Sequence, residues 1–277
     1  MSKQVFAHKI GTFVQYQLSP FLIYAFASLQ SVAYYGNYTL LTSKVSGLFV
    51  NFLGSSSAGV GNLIAEGNKE KILRIYWELL SIRFLFAGIS TFFLYYIIPP
   101  FITLWIGSEY VMSNSILILV LTGYVLGILR GTTDEFIAAH GLYRDVWAPF
   151  VESIIFVVVA LVGGYFWQLE GVLLGGIVSL LVIVYGWKPY FLFKQGLAIP
   201  VHVYIIGFLK LLLCTSLAGT LVYKFHDIIN PVNPYSSWLV LVCYGVIVGI
   251  AISIMMFIVL YFGTRGMRDF VSRILRR

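Results

Sequence analysis

Long apolar runs along the 277-residue chain alternate with short clusters of Lys, Arg, Pro and Asn. A helix needs about 20 mostly apolar residues to cross the hydrocarbon of a bilayer. By that measure the pattern predicts eight spans, at 6–27, 33–62, 74–98, 115–139, 146–166, 170–191, 202–224 and 236–262. Pro99-Pro100, Pro200 and the Asn230–Pro234 run fall between the predicted spans, where helix breakers are expected. The connections are too short for a soluble insertion. The fold expected is therefore an all-α membrane protein of about eight transmembrane helices.

Within these spans the polar positions are few and patterned. In the second, Asn37, Asn51, Ser55 and Asn62 stand in helical register with Lys44, all within about 20° of one line at 100° per residue. Lys44 is about 16 Å from the nearer helix end, too deep to snorkel easily. Such a lysine either faces a wet cavity or is held by interhelical hydrogen bonds, and lysine is a costly means of the latter. The fourth span carries Gly123, Gly127 and Gly131, a spacing expected to form a close-packing face. Beside it stands Arg130, with Asp134 one turn on and Glu152 at similar depth in the fifth span. A structural ion pair and a cavity-lining cation are both open readings of Arg130. Asp134 and Glu135 lie close enough to the interface to be solvated. In the sixth span Gly171, Gly175 and Ser179 are expected to pack. Gln15, Gln17 and Ser19 precede Pro20 as a polar, kinked patch in the first.

Composition agrees with this pattern: 60% of residues are hydrophobic, 10% are charged, and mean hydropathy is +0.91. Soluble domains carry about 25% charged residues. The net charge of +7 is a topology signal. If the spans alternate, Lys3, Lys9, Lys69, Lys71, Arg74, Arg83, Arg144, Lys188, Lys194 and the Arg-rich tail share one side, and the other side holds Lys224. The positive-inside rule then puts both termini in the cytoplasm. Lys210 is shallow enough to snorkel. The basic tail, RGMRDFVSRILRR, is expected to lie on the cytoplasmic leaflet. No nucleic-acid motif accompanies the charge, and the N-terminus has no cleavable signal. Cys214 and Cys243 lie in apolar runs, and the four His show no ligand spacing, so no metal, cofactor or catalytic site is expected.

Two stretches carry a family resemblance. The run VAYYGNYTLLTSKVSGLFVNFLGSSSAGVGNLIAEGNKEK (32–71) resembles a helix and cytoplasmic exit midway through bacterial polysaccharide repeat-unit exporters. The run AAHGLYRDVWAPFVESIIFVVVALVGGYFWQLEGVLLGG (138–176) resembles the Gly…Pro…Glu…Gly pattern of their next helix pair. The family is the polysaccharide transporter branch of the multidrug/oligosaccharidyl-lipid/polysaccharide exporter superfamily, the O-antigen (Wzx-type) flippases. The resemblance implies that 1–200 is the second six-helix lobe of such a flippase and that 201–277 adds two helices and a basic tail. It implies a V-shaped cavity with alternating access and a cargo of undecaprenyl-pyrophosphate-linked oligosaccharide in the bacterial cytoplasmic membrane. Lys44, Arg130, Asn37 and Asn51 would line the cavity, with Asp134 and Glu152 as counter-charges or ion-coupling sites.

Members of this family usually have twelve to fourteen spans. The sequence is therefore expected to be a fragment, or to act with a partner chain that supplies the first lobe. Besides that chain, the partners implied are the lipid-linked oligosaccharide and the bilayer, with no nucleic acid, and no enzyme activity is expected. Alternatives are a membrane-embedded polysaccharide polymerase or glycosyltransferase, a non-functional remnant, and a drug antiporter relative. The antiporter would want an acidic cavity, and the enzymes a sizeable outer loop with catalytic charges.

Overall fold

The computed structural model describes residues 17–53, 56–142, 144–229 and 232–276. They are helical almost throughout, with no strand among the described residues. Five helices are long and apolar enough to cross a bilayer: Lys69–Trp105, Asn114–Ala139, Trp147–Leu197, His202–His226 and Trp238–Gly263. The elements in chain order are α1 (Gln17–Phe26), α2 (Leu29–Leu53), α3 (Ser56–Ala65), α4 (Lys69–Trp105), α5 (Asn114–Ala139), α6 (Trp147–Ser179), α7 (Lys188–Phe191), α8 (His202–Ile229), α9 (Trp238–Gly263) and α10 (Arg265–Leu275). Wide-turn π segments at Leu180–Trp187 and Leu192–Leu197 flank α7 and carry the helical path from the end of α6 on to Leu197.

Polar residues set the helix starts. Ser28, Asn68, Ser113 and Ser237 each accept a hydrogen bond from the backbone N–H three residues on. That satisfies one of the donors a helix N-terminus leaves open. The interior of α4 collects the others around it. Tyr76, Phe84 and Leu80 pack with Phe136 of α5, Phe193, Leu211 of α8 and Met267 of α10 in one core. Further along α4, Ile98 and Ile102 meet Tyr38 of α2 and Leu117 of α5 in a second. At 37 residues, α4 is about 55 Å long, so it outreaches the ~30 Å of hydrocarbon.

One expectation changes here. Pro99 and Pro100 lie inside α4 and do not end it. Pro100, Ile98 and Ile102 are buried among neighbouring helices, and the Thr103 hydroxyl donates to the Pro99 carbonyl at 2.9 Å. Tertiary packing and side-chain donors hold a membrane helix across prolines that would stop a soluble one. Of the predicted 33–62 span, α2 and α3 cover the described residues on either side of 54–55, and α2 is not among the five apolar helices. Its polar stripe lowers its hydropathy. Of the first predicted span, 17–26 is described as α1, with Pro20 in its first turn; Gln15 lies outside the described residues.

The stretch 147–197 does not run straight. Trp167 (φ −128°, ψ 18°) and Gln168 (φ 48°, ψ −121°) leave helical geometry, and the chain folds back on itself there. A Cβ on Gly163 would stand 2.7 Å from the Gly171 carbonyl oxygen, and one on Gly175 would stand 2.8 Å from the Ala160 Cβ. Glycine lets the two backbones touch, the packing expected of Gly171 and Gly175. The boundary predicted between 166 and 170 falls on this turn. Among the described residues nothing lies within 4 Å of a Cβ at Gly123 or Gly127, so neither forms the expected packing face there.

The fold also sorts the charges. The Lys69 end of α4, the His202 end of α8 and the Arg265 end of α10 meet around one cleft. Lys71, Arg74, Arg265, Arg268 and Arg273 therefore share one end of the bundle. At the opposite end, Ser115 of α5 donates to Glu170 after the hairpin turn, and Phe101 of α4 packs on Trp238 of α9.

Candidate functional site

Where α5 passes the 147–197 hairpin, ionised side chains meet inside the bundle. Arg130 and Asp134 share a helix face by their spacing, and the Arg130 Nε donates to the Asp134 Oδ2 at 2.9 Å. Lys188 donates to the other oxygen, Oδ1, at 2.6 Å. On its far side Arg130 places Nη1 3.9 Å from the Glu152 Oε1. Asp134 thus bridges two cations, and Arg130 bridges two carboxylates. Lys188 and Glu152 keep only 7% and 9% of their side-chain surface, so the pairings replace the water that each has lost.

The backbone brings Lys188 there. Pro189 has no N–H, so the turn before it cannot close as an ordinary α-turn. The helix widens, and the Lys188 N–H bonds the Ile183 carbonyl five residues back. Such π turns are frequent at functional positions. One turn along, the Arg83 Nη2 donates to Glu135 at 3.4 Å, and its Nη1 donates to the Ile128 carbonyl at 3.3 Å. The guanidinium lies against Gly131, where a Cβ would collide with it. The last glycine of the predicted packing face therefore admits an arginine, and no helix backbone. Around this set, Tyr185 donates to the Leu126 carbonyl at 2.5 Å, and Tyr76 and Thr133 share a hydrogen bond of 3.0 Å.

The structure brings Arg130, Asp134 and Glu152 together, as their spacing and depth suggest. It keeps Lys44 elsewhere. Tyr38, Thr42 and Phe49 form the buried face of α2, while Lys44 and Asn51 are exposed and Asn37 is half-buried. Lys44 has no ion pair or hydrogen bond among the described residues. The stripe is described from Asn37 to Asn51 on α2 and at Asn62, which is exposed on α3; Ser55 lies outside the described residues.

Sequence reasoning missed three members of the set and one buried carboxylate outside it. Arg83 and Lys188, counted by sequence with the charges of the basic side, sit inside the bundle against carboxylates. Glu135 is paired and nearly buried, at 9% side-chain exposure. Glu78 is 1% exposed on α4, where it takes Arg273 of α10 at 2.9 Å and Arg74 at 3.8 Å. The Arg74–Glu78 spacing was the available signal for it, and that spacing is ordinarily a solvated surface pair.

Comparisons with protein-family models, with curated proteins and with solved structures give no match to this chain. What the coordinates define is an all-helical protein with several membrane-crossing helices and a paired cluster of three cations and three carboxylates in its interior.

Proposed function

We propose that the chain takes part in moving an undecaprenyl-pyrophosphate-linked oligosaccharide across the bacterial cytoplasmic membrane. It does so with eight spans, the hairpin counting as two, and with its basic end and both termini in the cytoplasm. The observation that carries the reading is the Arg130–Asp134–Lys188–Glu152 cluster. It holds two cations at membrane depth, each already matched to a carboxylate. An arriving pyrophosphate competes with Asp134 and Glu152 for Arg130 and Lys188, and the carboxylates take the cations back when it leaves. The cations of such a site have two alternative sets of anions to pair with, as a carrier with two states requires. Lys44 and Asn51, on the exposed face of α2, are positioned to line the cavity shared with a first-lobe chain. The charge distribution and the resemblance of 32–71 and 138–176 to polysaccharide exporters support the same cargo.

The test is deletion of the gene followed by extraction of lipid-linked intermediates and assay of surface polysaccharide. Accumulated lipid-linked repeat units with lost surface polymer are expected. Complementation with Lys44→Ala should restore less export than complementation with Lys194→Ala. Unchanged intermediates and surface polymer after deletion would remove the proposal.

A further inference from the structure

At the basic end, α4, α8 and α10 do not close on one another. Between them is a cleft of about 910 Å³, within the size range of small-molecule sites. Its floor is apolar. Gly207 of α8 and Gly266 of α10 both abut Trp77, and neither leaves room for a Cβ. Its rim is basic: Lys71, Arg74, Lys210 and Arg265 line the cleft against the carboxylates of Glu70 and Asp269.

Most of these charges are already engaged. Lys71 is paired with Glu66 at 2.5 Å and Arg265 with Asp269 at 3.7 Å. Arg74 is 3.8 Å from a Glu78 that Arg273 holds more closely, at 2.9 Å. Lys210 has no partner among the described residues. It is eight residues into α8, about 12 Å from the helix start. From there its ammonium reaches the headgroup level, where an anion can meet it.

The cleft opens beside lipid-facing side chains. Ile206, on its wall, is 64% exposed, and Leu209 and Leu213 beyond it are 49% and 69% exposed. A ligand whose anion meets Lys210 therefore has an apolar path along α8 for a hydrocarbon tail. We infer that this cleft binds the phosphate group of an anionic membrane lipid, with Lys210 as its counter-ion, Arg74 and Arg265 at the mouth, and the tail lying along α8. The site is separate from the interior ion-pair cluster, and its occupancy can be read without any transport.

The experiment titrates brominated phosphatidylglycerol, and separately brominated phosphatidylcholine, into the full chain purified in detergent, with tryptophan fluorescence as the readout. Phosphatidylglycerol should give a saturable quenching component that phosphatidylcholine lacks, and Trp77→Phe should abolish it. Lys210→Met should weaken that component roughly tenfold or more, as expected for loss of a charge-assisted hydrogen bond. Lys210→Arg should retain it. Lys194→Met, at a lysine bonded to the Tyr190 hydroxyl outside the cleft, should leave it unchanged. Equal quenching by the two lipids, or a Lys210→Met protein that binds like wild type, would overturn the assignment. Displacement of the lipid by inorganic phosphate as effectively as by phosphatidylglycerol would overturn it as well, in favour of a soluble phosphate.

Discussion

Asp134→Asn is the most direct test of the interior cluster. The substitution removes the one carboxylate that Lys188 touches among the described residues, at 2.6 Å, and leaves an ammonium with 7% of its side-chain surface exposed. Taking one partner from a buried ion pair costs about 3–5 kcal/mol, because the remaining charge stays desolvated. Asp134 itself is 34% exposed, and solvent screens part of that loss, so the low end of the range, about 3 kcal/mol, is expected. Arg130 suffers less, since Glu152 remains 3.9 Å away. Lys188→Met removes the orphaned charge and fills similar volume. The double variant Asp134→Asn/Lys188→Met should therefore recover about 2 kcal/mol of the single variant's loss, a coupling within the range found for contacting residues. The assay is unfolding of the purified protein in mixed micelles of dodecyl maltoside and increasing dodecyl sulfate, followed by tryptophan fluorescence for the four members of the cycle. Additive losses, with the double variant no more stable than Asp134→Asn, would refute the claim that Lys188 depends on Asp134. A simple charge swap between Arg130 and Asp134 should not restore stability, because it sets a new arginine beside Lys188.

Two further outcomes follow from contacts at the turn and the tail. Gly171→Ala should sharply lower the yield of monodisperse protein in size-exclusion chromatography, since its Cβ would run into the Gly163 backbone, which has no rotamer by which to yield; Gly176→Ala, with nothing within 4 Å, should behave as wild type. Arg273→Ala should leave Glu78 with Arg74 alone, at 3.8 Å, and hydrogen exchange across 265–275 should accelerate by a factor of ten or more for a loss of about 1.5–3 kcal/mol.

Much of the architecture was legible because hydropathy and breakers act locally. The start of α5, the 202 and 238 helix starts and the reversal near 168 all follow from where apolar runs are interrupted. The Arg130–Asp134 pair was legible for the same reason, as a spacing of four on one helix. The sequence misled where tertiary context prevails. Pro99 and Pro100 obey neighbours that no local rule contains. Arg83 and Lys188 count by sequence only as charges of one membrane side, whereas each is matched by a carboxylate distant in sequence. Glu78 shows the limit clearly, since Arg273 lies far along the chain and no pattern in α4 points to it. For Lys44 periodicity identified the face, and the structure places that face outward on α2. A helical repeat cannot say what a face will meet.

The turn at Trp167 and Gln168 governs how this protein is built as well as how it stands. With the two arms in backbone contact and almost no residues between them, neither arm can enter the lipid alone and wait for the other. During synthesis they must leave the translocation channel together, as one preformed wedge. The turn is accordingly a poor position for an epitope tag, a reporter enzyme or a protease site. The stretch 232–237, near the same end of the bundle and outside any helix, is the place to insert one.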